Sequence, residues 1–461
     1  MQFREGQNMV CELLSEKKSL HLPSGLATLP KSWSWFRLDE VCTGVFDCPH
    51  STPKLVEAGP YVVRTQDIMT GIFREEQAAR VSEQTYQDRT SRVAPQRGDL
   101  LYSREGTYFG IAAEVPERTR ICLGQRMVLI RPDTQKVDFR FLRYWLNSPI
   151  MASHIHGYRD GTVAERLNLP TIRALPILCP PISEQKKISH LLRTLDDKIE
   201  NNRVLNHHLE QAARALFKSW FVDFDPVRAK LDGHQPFGLT PVTAALFPDS
   251  FQDSELGRIP KGWKVGSVGD MVMCVGGATP STSEPVYWEG GAHHWTTPKD
   301  FSSLQAPILI DTQRCITDAG IAKISSGLLP AGTLLMSSRA PVGYLAISAI
   351  PVAINQGFIA MKCSERASNY FMLNWCQTNM PEIEARATGT TFAEISKQNF
   401  RPIPMALPSK ELMAVFTGKV TPIYAQITAN LYQSRTLAAL RDTLLPRLMS
   451  GELSLADVAA K

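Results

Sequence analysis

Two loops carry the residues whose types and spacing are best suited to contact nucleic acid. The first runs from Asp47 to Lys54 and reads DCPHSTPK, and the second runs from Gly276 to Thr282 and reads GGATPST. Hydroxyls, amides and backbone N–H groups in such loops can bind phosphates and the edges of bases. Ordinary surface turns favour the same residue types, so composition alone leaves both interpretations open.

Further polar residues recur in the same order in both halves of the chain and are of types that contact guanine, adenine or phosphate. Together with the two loops they form the predicted contact set: His50, Ser51, Lys54, Arg64, Gln66, Arg104, Gly161, Thr162, Thr279, Ser281, Thr282, Lys299, Arg339, Gln356, Gly389, Thr390 and Thr391. Solvated polar surface is the alternative interpretation of each of these residues.

The sequence lacks the motifs of a nucleotide-processing catalyst. It contains no GxxxxGK[ST], no GxGxxG that opens a helix after a strand, no Asn-Pro-Pro-aromatic run, and no acidic pair followed by Glu-x-Lys. These four absences together predict that the chain is not itself an enzyme. Cys42, Cys48 and His50 match no common zinc spacing, so no metal site is predicted either.

Composition places the chain among globular proteins of two to three domains. Of its 461 residues, 43% are hydrophobic and 21% are charged, and the net charge is only +5. A nucleic-acid binder with this balance must concentrate its Lys and Arg on one face. No apolar run approaches the roughly 18 residues of a membrane span, and the nine scattered cysteines suit a reducing compartment. We therefore expect a cytoplasmic protein.

The elements that must position these loops begin with a long helix, predicted from Ser183 to about Val222. This stretch has no Pro or Gly, and its apolar residues recur in steps of three and four, which is the pattern of a coiled-coil seam. The predicted seam residues of the helix are Ile188, Leu192, Leu195, Ile199, Leu209 and Leu216, interrupted by Asn202. A buried Asn at such a position usually fixes register.

A second helix repeats the first, because a shift of 228 residues superimposes the two stretches without a gap. Its predicted span is Ser409 to Ser450. The corresponding seam residues are Phe416, Val420, Ile423, Ile427, Asn430, Leu437 and Leu444. A Pro-Lys-x-Trp start also recurs, at Pro30 and Pro260. These repeats predict a tandem duplication.

The predicted fold is α+β, with two mixed α/β modules that are each followed by one long helix. The predicted boundaries are an N-terminal extension (1–28), a first module (29–182), a first helix (183–222), a linker (223–258), a second module (259–408), a second helix (409–450) and a C-terminal tail (451–461). Each module has an ordinary domain size.

Several motifs resemble those of the specificity (S) subunit of type I restriction–modification systems. They are PPISEQKKI from Pro180, LDDKI from Leu195, LLPRLMSG from Leu444, the Gly276–Thr282 loop, VYWEGG from Val286 and HWTT from His294. The resemblance covers nearly the whole chain beyond residue 28. The second helix lacks the Glu-Gln pair of the first and has Ser409-Lys410-Glu411-Leu412 instead, from which we expect no change of role.

The resemblance implies a non-catalytic subunit that binds double-stranded DNA. Each module would be a target-recognition domain that reads one half of a bipartite, asymmetric site. The helices would form an antiparallel coiled coil with pseudo-twofold symmetry and would dock two methyltransferase (M) subunits. Restriction/translocase (R) subunits would complete the complex, with S-adenosylmethionine, ATP and Mg on these partners and no cofactor on this chain. The alternatives are a self-sufficient DNA methyltransferase or nuclease, and a coiled-coil scaffold that binds only proteins.

Overall fold

A computed structural model describes residues 20–24, 29–106, 109–156, 166–389 and 393–455. The chain divides into two units. Unit 1 comprises residues 1–197 and 437–461, and unit 2 comprises residues 198–436.

Two helices of 40 residues each, Ile182–Phe221 and Lys410–Met449, are the longest elements of the described chain. Their ends lie within one residue of the predicted spans. The first has no Pro or Gly in its interior, and it begins directly after Pro180 and Pro181, which disfavour helical geometry in the residues before them. Pro422 lies inside the second helix, which runs on through it.

Unit 1 contains eleven described strands in four small sheets. The four-stranded sheet has the order β2-β10-β7-β8, a three-stranded sheet has the order β6-β3-β9, and β1-β11 and β4-β5 are pairs. The strands are β1 Ser34–Arg37, β2 Cys42–Asp47, β3 Leu55–Val63, β4 Ile68–Met69, β5 Ile72–Phe73, β6 Ala79–Val81, β7 Leu100–Ser103, β8 Ala112–Glu114, β9 Ile121–Leu123, β10 Met127–Pro132 and β11 Pro176–Cys179.

Short helices cover these sheets in unit 1. Besides the long helix, the described α-helices are Glu83–Thr90, Phe139–Leu146, Pro149–His156 and Leu169–Arg173, and the 3₁₀ turns are Leu38–Glu40, Thr65–Asp67 and Glu75–Gln77. The helix Phe139–Leu146 is buried over most of its length. The indole N–H of its Trp145 donates to the carbonyl of Pro176, 2.8 Å away, so the helix is fixed to β11.

Unit 2 repeats this plan with additions. Its five-stranded sheet has the order β15-β22-β19-β20-β17, its three-stranded sheet has the order β18-β16-β21, and β12-β13 and β14-β23 are pairs. The strands are β12 Phe251–Ser254, β13 Gly257–Pro260, β14 Lys264–Ser267, β15 Met273–Gly276, β16 His293–Thr296, β17 Ile308–Leu309, β18 Arg314–Ile316, β19 Leu334–Ser338, β20 Val342–Ser348, β21 Val352–Ile354, β22 Phe358–Lys362 and β23 Pro404–Leu407.

The strand pairings show that the duplication predicted from sequence extends to topology. The order β2-β10-β7-β8 of unit 1 recurs as β15-β22-β19-β20 in unit 2. The parallel pair β3-β9 recurs as the parallel pair β16-β21, and the antiparallel pair β1-β11 recurs as β14-β23. Unit 2 adds β17 at the edge of its larger sheet.

The segment expected as a linker between the halves is folded as part of unit 2. It contains the helices Asp225–Leu231 and Pro241–Ala245 and the hairpin β12-β13. Val227 and Phe247 from this segment are buried in the main core of the unit. Phe247 packs edge-on against Trp220 of the first long helix, with 5.2 Å between ring centroids. Apolar residues among the Pro and Gly therefore make this stretch an ordered part of the fold.

The remaining helical elements of unit 2 are Val268–Met271, Pro285–Tyr287, Pro298–Phe301, Asp318–Ile321, Asn369–Thr378, Met380–Ala385 and Lys397–Phe400.

Within each unit the two long helices contact one another. In unit 1, Ile188 and Leu192 share a core with Leu445, Leu448 and Met449. In unit 2, Phe217 and Trp220 lie about 6 Å from Phe416, measured between ring centroids (6.0 and 6.1 Å). Asn206, earlier in the first helix, meets Asn430, later in the second. In unit 2, residues nearer the end of the first helix thus contact a residue nearer the start of the second.

Half of the predicted seam residues are buried, namely Ile188, Leu192, Asn202, Phe416, Val420, Ile427 and Asn430. The others, Leu195, Ile199, Leu209, Leu216, Ile423, Leu437 and Leu444, are half-buried. Phe217 and Tyr424, each one residue beyond a predicted seam position, are fully buried and were missed by the periodicity. Burying a large apolar side chain contributes roughly 1.5–3 kcal/mol, so these positions carry much of the packing.

Candidate nucleic-acid interface

In unit 1 the Asp47–Lys54 loop is attached to the end of β9. Arg89, on the helix Glu83–Thr90, donates from Nη1 to the Ser51 carbonyl at 3.0 Å and from Nη2 to the Pro49 carbonyl at 3.3 Å. The same guanidinium donates from Nε and Nη2 to the Leu123 carbonyl at 3.0 and 2.8 Å. The side-chain amide of Gln125 donates to the His50 carbonyl. Loop and strand end therefore form one surface.

The predicted contact residues His50, Ser51 and Lys54 are exposed on this loop. His50 Nε2 lies 3.5 Å from Asp47, and 74% of its side chain is exposed to solvent. Ser51 Oγ accepts a hydrogen bond from Arg89 at 3.2 Å. The loop thus exposes the imidazole of His50, the hydroxyl of Ser51 and the ammonium of Lys54 to solvent, and groups of these types contact phosphates and bases.

Arg104 differs from the expectation of a solvent-facing contact. Only 5% of its side chain is exposed, and Nη1 lies 3.0 Å from Asp47 Oδ1 at the base of the loop. In this structure Arg104 is buried against Asp47 and holds the base of the loop.

A buried aspartate presents Arg64 and Gln66 beside the loop. Asp67 is 1% exposed; it accepts from the Arg64 backbone N–H at 2.8 Å and from Arg64 Nε and Nη2 at 2.9 Å each. The hydrogen bonds between the guanidinium and Asp67 raise the pKa of Arg64 above its usual value, and they leave Nη1 outside the bidentate pair. Gln66 is exposed on the same turn. Guanidinium and amide groups held in this way are suited to base edges.

In unit 2 the Gly276–Thr282 loop lies against the end of β21. The Ala278 N–H donates to the Ile354 carbonyl at 3.1 Å. A Cβ on Gly277 would lie 1.9 Å from that carbonyl oxygen, so only glycine permits this approach. The Thr279 hydroxyl donates to Gln356 Oε1 at 2.5 Å. Ser281 and Thr282 are exposed at the tip. The structure therefore brings Thr279, Ser281, Thr282 and Gln356 together.

A shallow depression of about 460 Å³ adjoins Gln356 and collects the basic candidates of unit 2. Lys299, Arg339, Tyr344 and Asn355 line it. Lys299 lies within a turn that buried Asp300 holds by accepting from the Thr297 N–H at 2.8 Å, as Asp67 holds the turn of Gln66 in unit 1. Arg339 Nη1 lies 3.5 Å from Glu394. The depression is large enough for a base edge or a phosphate and has two positive side chains at its wall.

The third candidate segment of each module is described only in part. Gly389 follows Thr388, which pairs with Glu394, and Glu394 also pairs with Arg339 through the backbone. Gly389 therefore lies close to the depression. Gly161, Thr162, Thr390 and Thr391 lie outside the described residues.

The structure adds residues that sequence reasoning missed. Arg89 contacts the first loop, and Asn355 and Tyr344 line the depression in unit 2. Asn355 stands next to a predicted residue in the repeated Leu-Gly-Gln and Ile-Asn-Gln segments, so the repeat could have identified it. Arg89 had no such signal, because the shorter helix Asp318–Ile321, which follows the equivalent strand β18 in the second half, contains no arginine.

The Glu-Gln pair of the first long helix fixes the module to that helix. Glu184 accepts from the Trp33 indole N–H at 3.2 Å. Gln185 is 1% exposed; it accepts from the Asp138 N–H at 2.9 Å and donates to the carbonyls of Pro180 and Lys136 at 2.8 and 3.2 Å. In the second helix Leu412 and Met413 occupy the corresponding positions and are buried in the core. Apolar packing there replaces hydrogen bonding.

In each unit a short helix makes a second attachment to a long helix. This helix is Phe139–Leu146, after β10, in unit 1, and Asn369–Thr378, after β22, in unit 2. In unit 1, Tyr144 Oη donates to Asp196 at 2.5 Å, and Arg441 of the second long helix donates to the same carboxylate at 2.9 Å. In unit 2, Asn374 donates to Tyr424 Oη at 3.0 Å. Each module is thus held to the long helices by a polar contact, which keeps the loops in a defined place.

Two kinds of feature are absent from the described residues. Across the ranges that the structure covers, no group of three or more His, Cys, Asp or Glu side chains is placed to hold an ion. The helices in those ranges include none that is both long and apolar enough to cross a membrane.

Comparisons with known proteins match both modules. A family model described as the type I restriction modification DNA specificity domain matches residues 30–211 and again 260–413. The specificity subunit of the HindI type I restriction enzyme from Haemophilus influenzae is 26% identical over 439 residues, which cover 85% of this chain and 94% of the relative. The specificity subunit of the MjaIX type I restriction enzyme from Methanocaldococcus jannaschii is 34% identical over 163 residues, 35% of this chain and 38% of the relative.

A solved structure shares the fold. The crystal structure of a type I restriction–modification S subunit from M. genitalium aligns with a TM-score of 0.55 at 16% identity, covering 93% of this chain and 99% of that one. At this identity the likeness concerns architecture alone, namely a mixed α+β chain that contains two modules.

Proposed function

The chain belongs to the family of type I restriction–modification DNA specificity proteins, and from this premise we propose that it is the DNA-recognition subunit of such a complex. The observation that carries the proposal is the duplication. The same family model matches both halves, and in each half the sheets place a polar loop beside basic side chains. Groups of these types contact phosphates and base edges.

Each module reads one half of a bipartite site. The first displays His50, Ser51, Lys54, Arg64 and Gln66. The second displays a different set: Thr279, Ser281, Thr282, Lys299, Arg339, Gln356 and Gly389. Because the two sets present different donors and acceptors on a shared topology, the two half-sites differ in sequence. The complete site is therefore asymmetric.

The two long helices form an antiparallel coiled coil with pseudo-twofold symmetry and set the spacing of the half-sites. The contacts of Phe217 with Phe416 and of Asn206 with Asn430 support this pairing. Forty helical residues extend over about 60 Å, which is comparable to one and a half to two turns of duplex at about 3.4 Å per base pair. As part of this proposal, each module and each helix keeps the bounds expected from the sequence, except that residues 223–258 are folded into unit 2.

The chain is not a catalyst and works in the cytoplasm with two M subunits and with R subunits. S-adenosylmethionine, ATP and Mg bind to those partner subunits. Exposed apolar side chains on the long helices support docking there, since Val204 and Tyr432 are each 40% exposed and Leu205 is 43% exposed. The names of the relatives, as specificity subunits of restriction enzymes, support the same division of labour.

Reconstitution tests the proposed function. The purified chain and an M subunit encoded beside it are incubated with genomic DNA and radiolabelled S-adenosylmethionine, separately and together. Methyl transfer is expected only when both proteins are present. Transfer by the chain alone would establish a self-sufficient methyltransferase and overturn the proposal. DNA binding by neither the chain nor the assembled complex would favour a scaffold.

A further inference from the structure

The two reader loops are held in place by chemically different anchors. In unit 1 the guanidinium of Arg89 joins the loop to the strand end, in addition to the contacts of Arg104 with Asp47 and of Gln125 with His50. All five hydrogen bonds of Arg89 go to carbonyl or hydroxyl oxygens, two of them to the Leu123 carbonyl and three to Pro49 and Ser51. Arg89 therefore joins the loop to the strand end that carries Gln125.

In unit 2 two indole N–H groups hold the loop instead. Trp288 Nε1 donates to the Ser281 carbonyl at 2.9 Å, and Trp295 Nε1 donates to the Ala278 carbonyl at 3.4 Å. The two rings pack edge to face with their centroids 4.9 Å apart. The guanidinium of Arg314 lies 3.9 Å from the centroid of the Trp288 ring. The indole N–H groups of Trp288 and Trp295 thus hold the loop backbone at two points, and the edge-to-face packing of the two rings keeps them in place.

We propose that Arg89 and Trp288 are positioning residues that determine specificity, each for the half-site read by its own module. This inference rests on the proposed function. Neither side chain is itself a base reader: the donors of Arg89 are used on backbone carbonyls, and the indole N–H of Trp288 is used on Ser281. Each residue instead fixes where the hydroxyl and amide groups of its loop stand. Base discrimination depends on such geometry, because a bidentate contact requires donors and acceptors at fixed positions.

Conservative substitutions separate positioning from charge and from bulk. Arg89→Lys keeps the positive charge but loses the planar fork that reaches several carbonyls at once. Trp288→Phe keeps an aromatic ring for stacking but removes the indole donor. Matched controls are Arg92→Lys, at an exposed arginine three residues from Arg89, and Tyr287→Phe, beside Trp288. Neither control touches the backbone of a loop through a side-chain hydrogen bond among the contacts that the structure describes.

The assay uses the full complex with its M subunits and a pool of duplexes in which both half-sites are randomised. Methylated duplexes are sequenced, and the preference for each base is compared with that of the wild type. Arg89→Lys should weaken discrimination about threefold to tenfold in the half-site of the first module only, which is the fold-change expected for losing one or two hydrogen bonds. Trp288→Phe should do the same in the other half-site only.

The unaffected half-site in each molecule reports that the complex is folded and assembled. Equal loss at both half-sites, or no change at either, would overturn the positioning roles. Loss in the controls as large as in the variants would do the same. A wild-type complex that selects no bipartite sequence at all would overturn the proposed function itself, which is a distinguishable result.

Discussion

The polar cluster between the long helices gives the sharpest prediction for stability. Asn430, 4% exposed, donates to Asn206 Oδ1 at 2.8 Å and accepts from Gln426 Nε2 at 2.7 Å. Asn202, 1% exposed, donates to Gln433 Oε1 at 2.9 Å and Ser434 Oγ at 3.2 Å. These hydrogen bonds compensate the cost of burying amides, and they are satisfied only in one register of the two helices.

Asn430→Ala should leave the buried oxygen of Asn206 without its donor. An unsatisfied buried group costs about 1–3 kcal/mol. In a unit of this size each 1 kcal/mol lowers the melting temperature by roughly 2–4 °C, so a loss near the middle of that range lowers it by about 4–8 °C. Scanning calorimetry of the full chain measures this shift. Lys419→Ala, at an exposed position on the same helix, should change the melting temperature by less than about 2 °C.

A double-mutant cycle isolates the pair. Asn206→Leu and Asn430→Leu should each destabilise, because each leaves a partner amide unsatisfied. The double substitution removes both and should cost less than the sum by about 1–2 kcal/mol. Strictly additive losses, or a loss in Asn430→Ala no larger than that in Lys419→Ala, would refute the hydrogen-bonded cluster.

Two further predictions concern unit 1. Gln185→Glu should lower the melting temperature by more than about 6 °C, because it places a buried carboxylate against the carbonyls of Pro180 and Lys136. Lys186→Gln, at an exposed position, is the control. A shift in Gln185→Glu as small as that of the control would contradict the contacts described. Burial, and secondarily His21, lowers the pKa of His154 from 6.5, so the unfolded chain takes up the proton first and stability should fall as pH drops through about 6.5 and below. His154→Gln should flatten that fall in thermal melts between pH 7.5 and 5.5, and an unchanged pH profile would show that His154 does not cause it.

The long helices and the duplication followed from local pattern, whereas the exact packing did not. The absence of breakers and the three–four spacing suffice to predict Ile182–Phe221. Burial, however, falls on Phe217 and Tyr424 beside the predicted Leu216 and Ile423, because a helix of 3.6 residues per turn drifts from a strict seven-residue repeat. Which neighbour turns inward depends on the module packed against it, and sequence spacing does not encode this.

Residue types in the sequence suggested which side chains form the candidate interface, but they did not indicate which of those side chains are buried. Loop composition and the repeated segments suggested His50, Lys299, Arg339 and Gln356, and all four are exposed or half-buried. Arg104 has the same side chain as Arg64, yet it is buried against Asp47. Arg89 donates to the carbonyl of Leu123, 34 positions further along the sequence, through a contact that only the folded chain creates. Residue types thus suggest a chemistry, and burial decides which side chains are available for it.

The central claim is that each module reads its own half of a bipartite DNA site. Its most direct test replaces residues 29–182 with the first module of another specificity protein, expresses the hybrid with the M subunits, and maps methylated adenines across the host genome. One half of the recognised motif should change while the other half and the spacing stay as in the wild type. A motif altered in both halves, or in neither, would contradict the account.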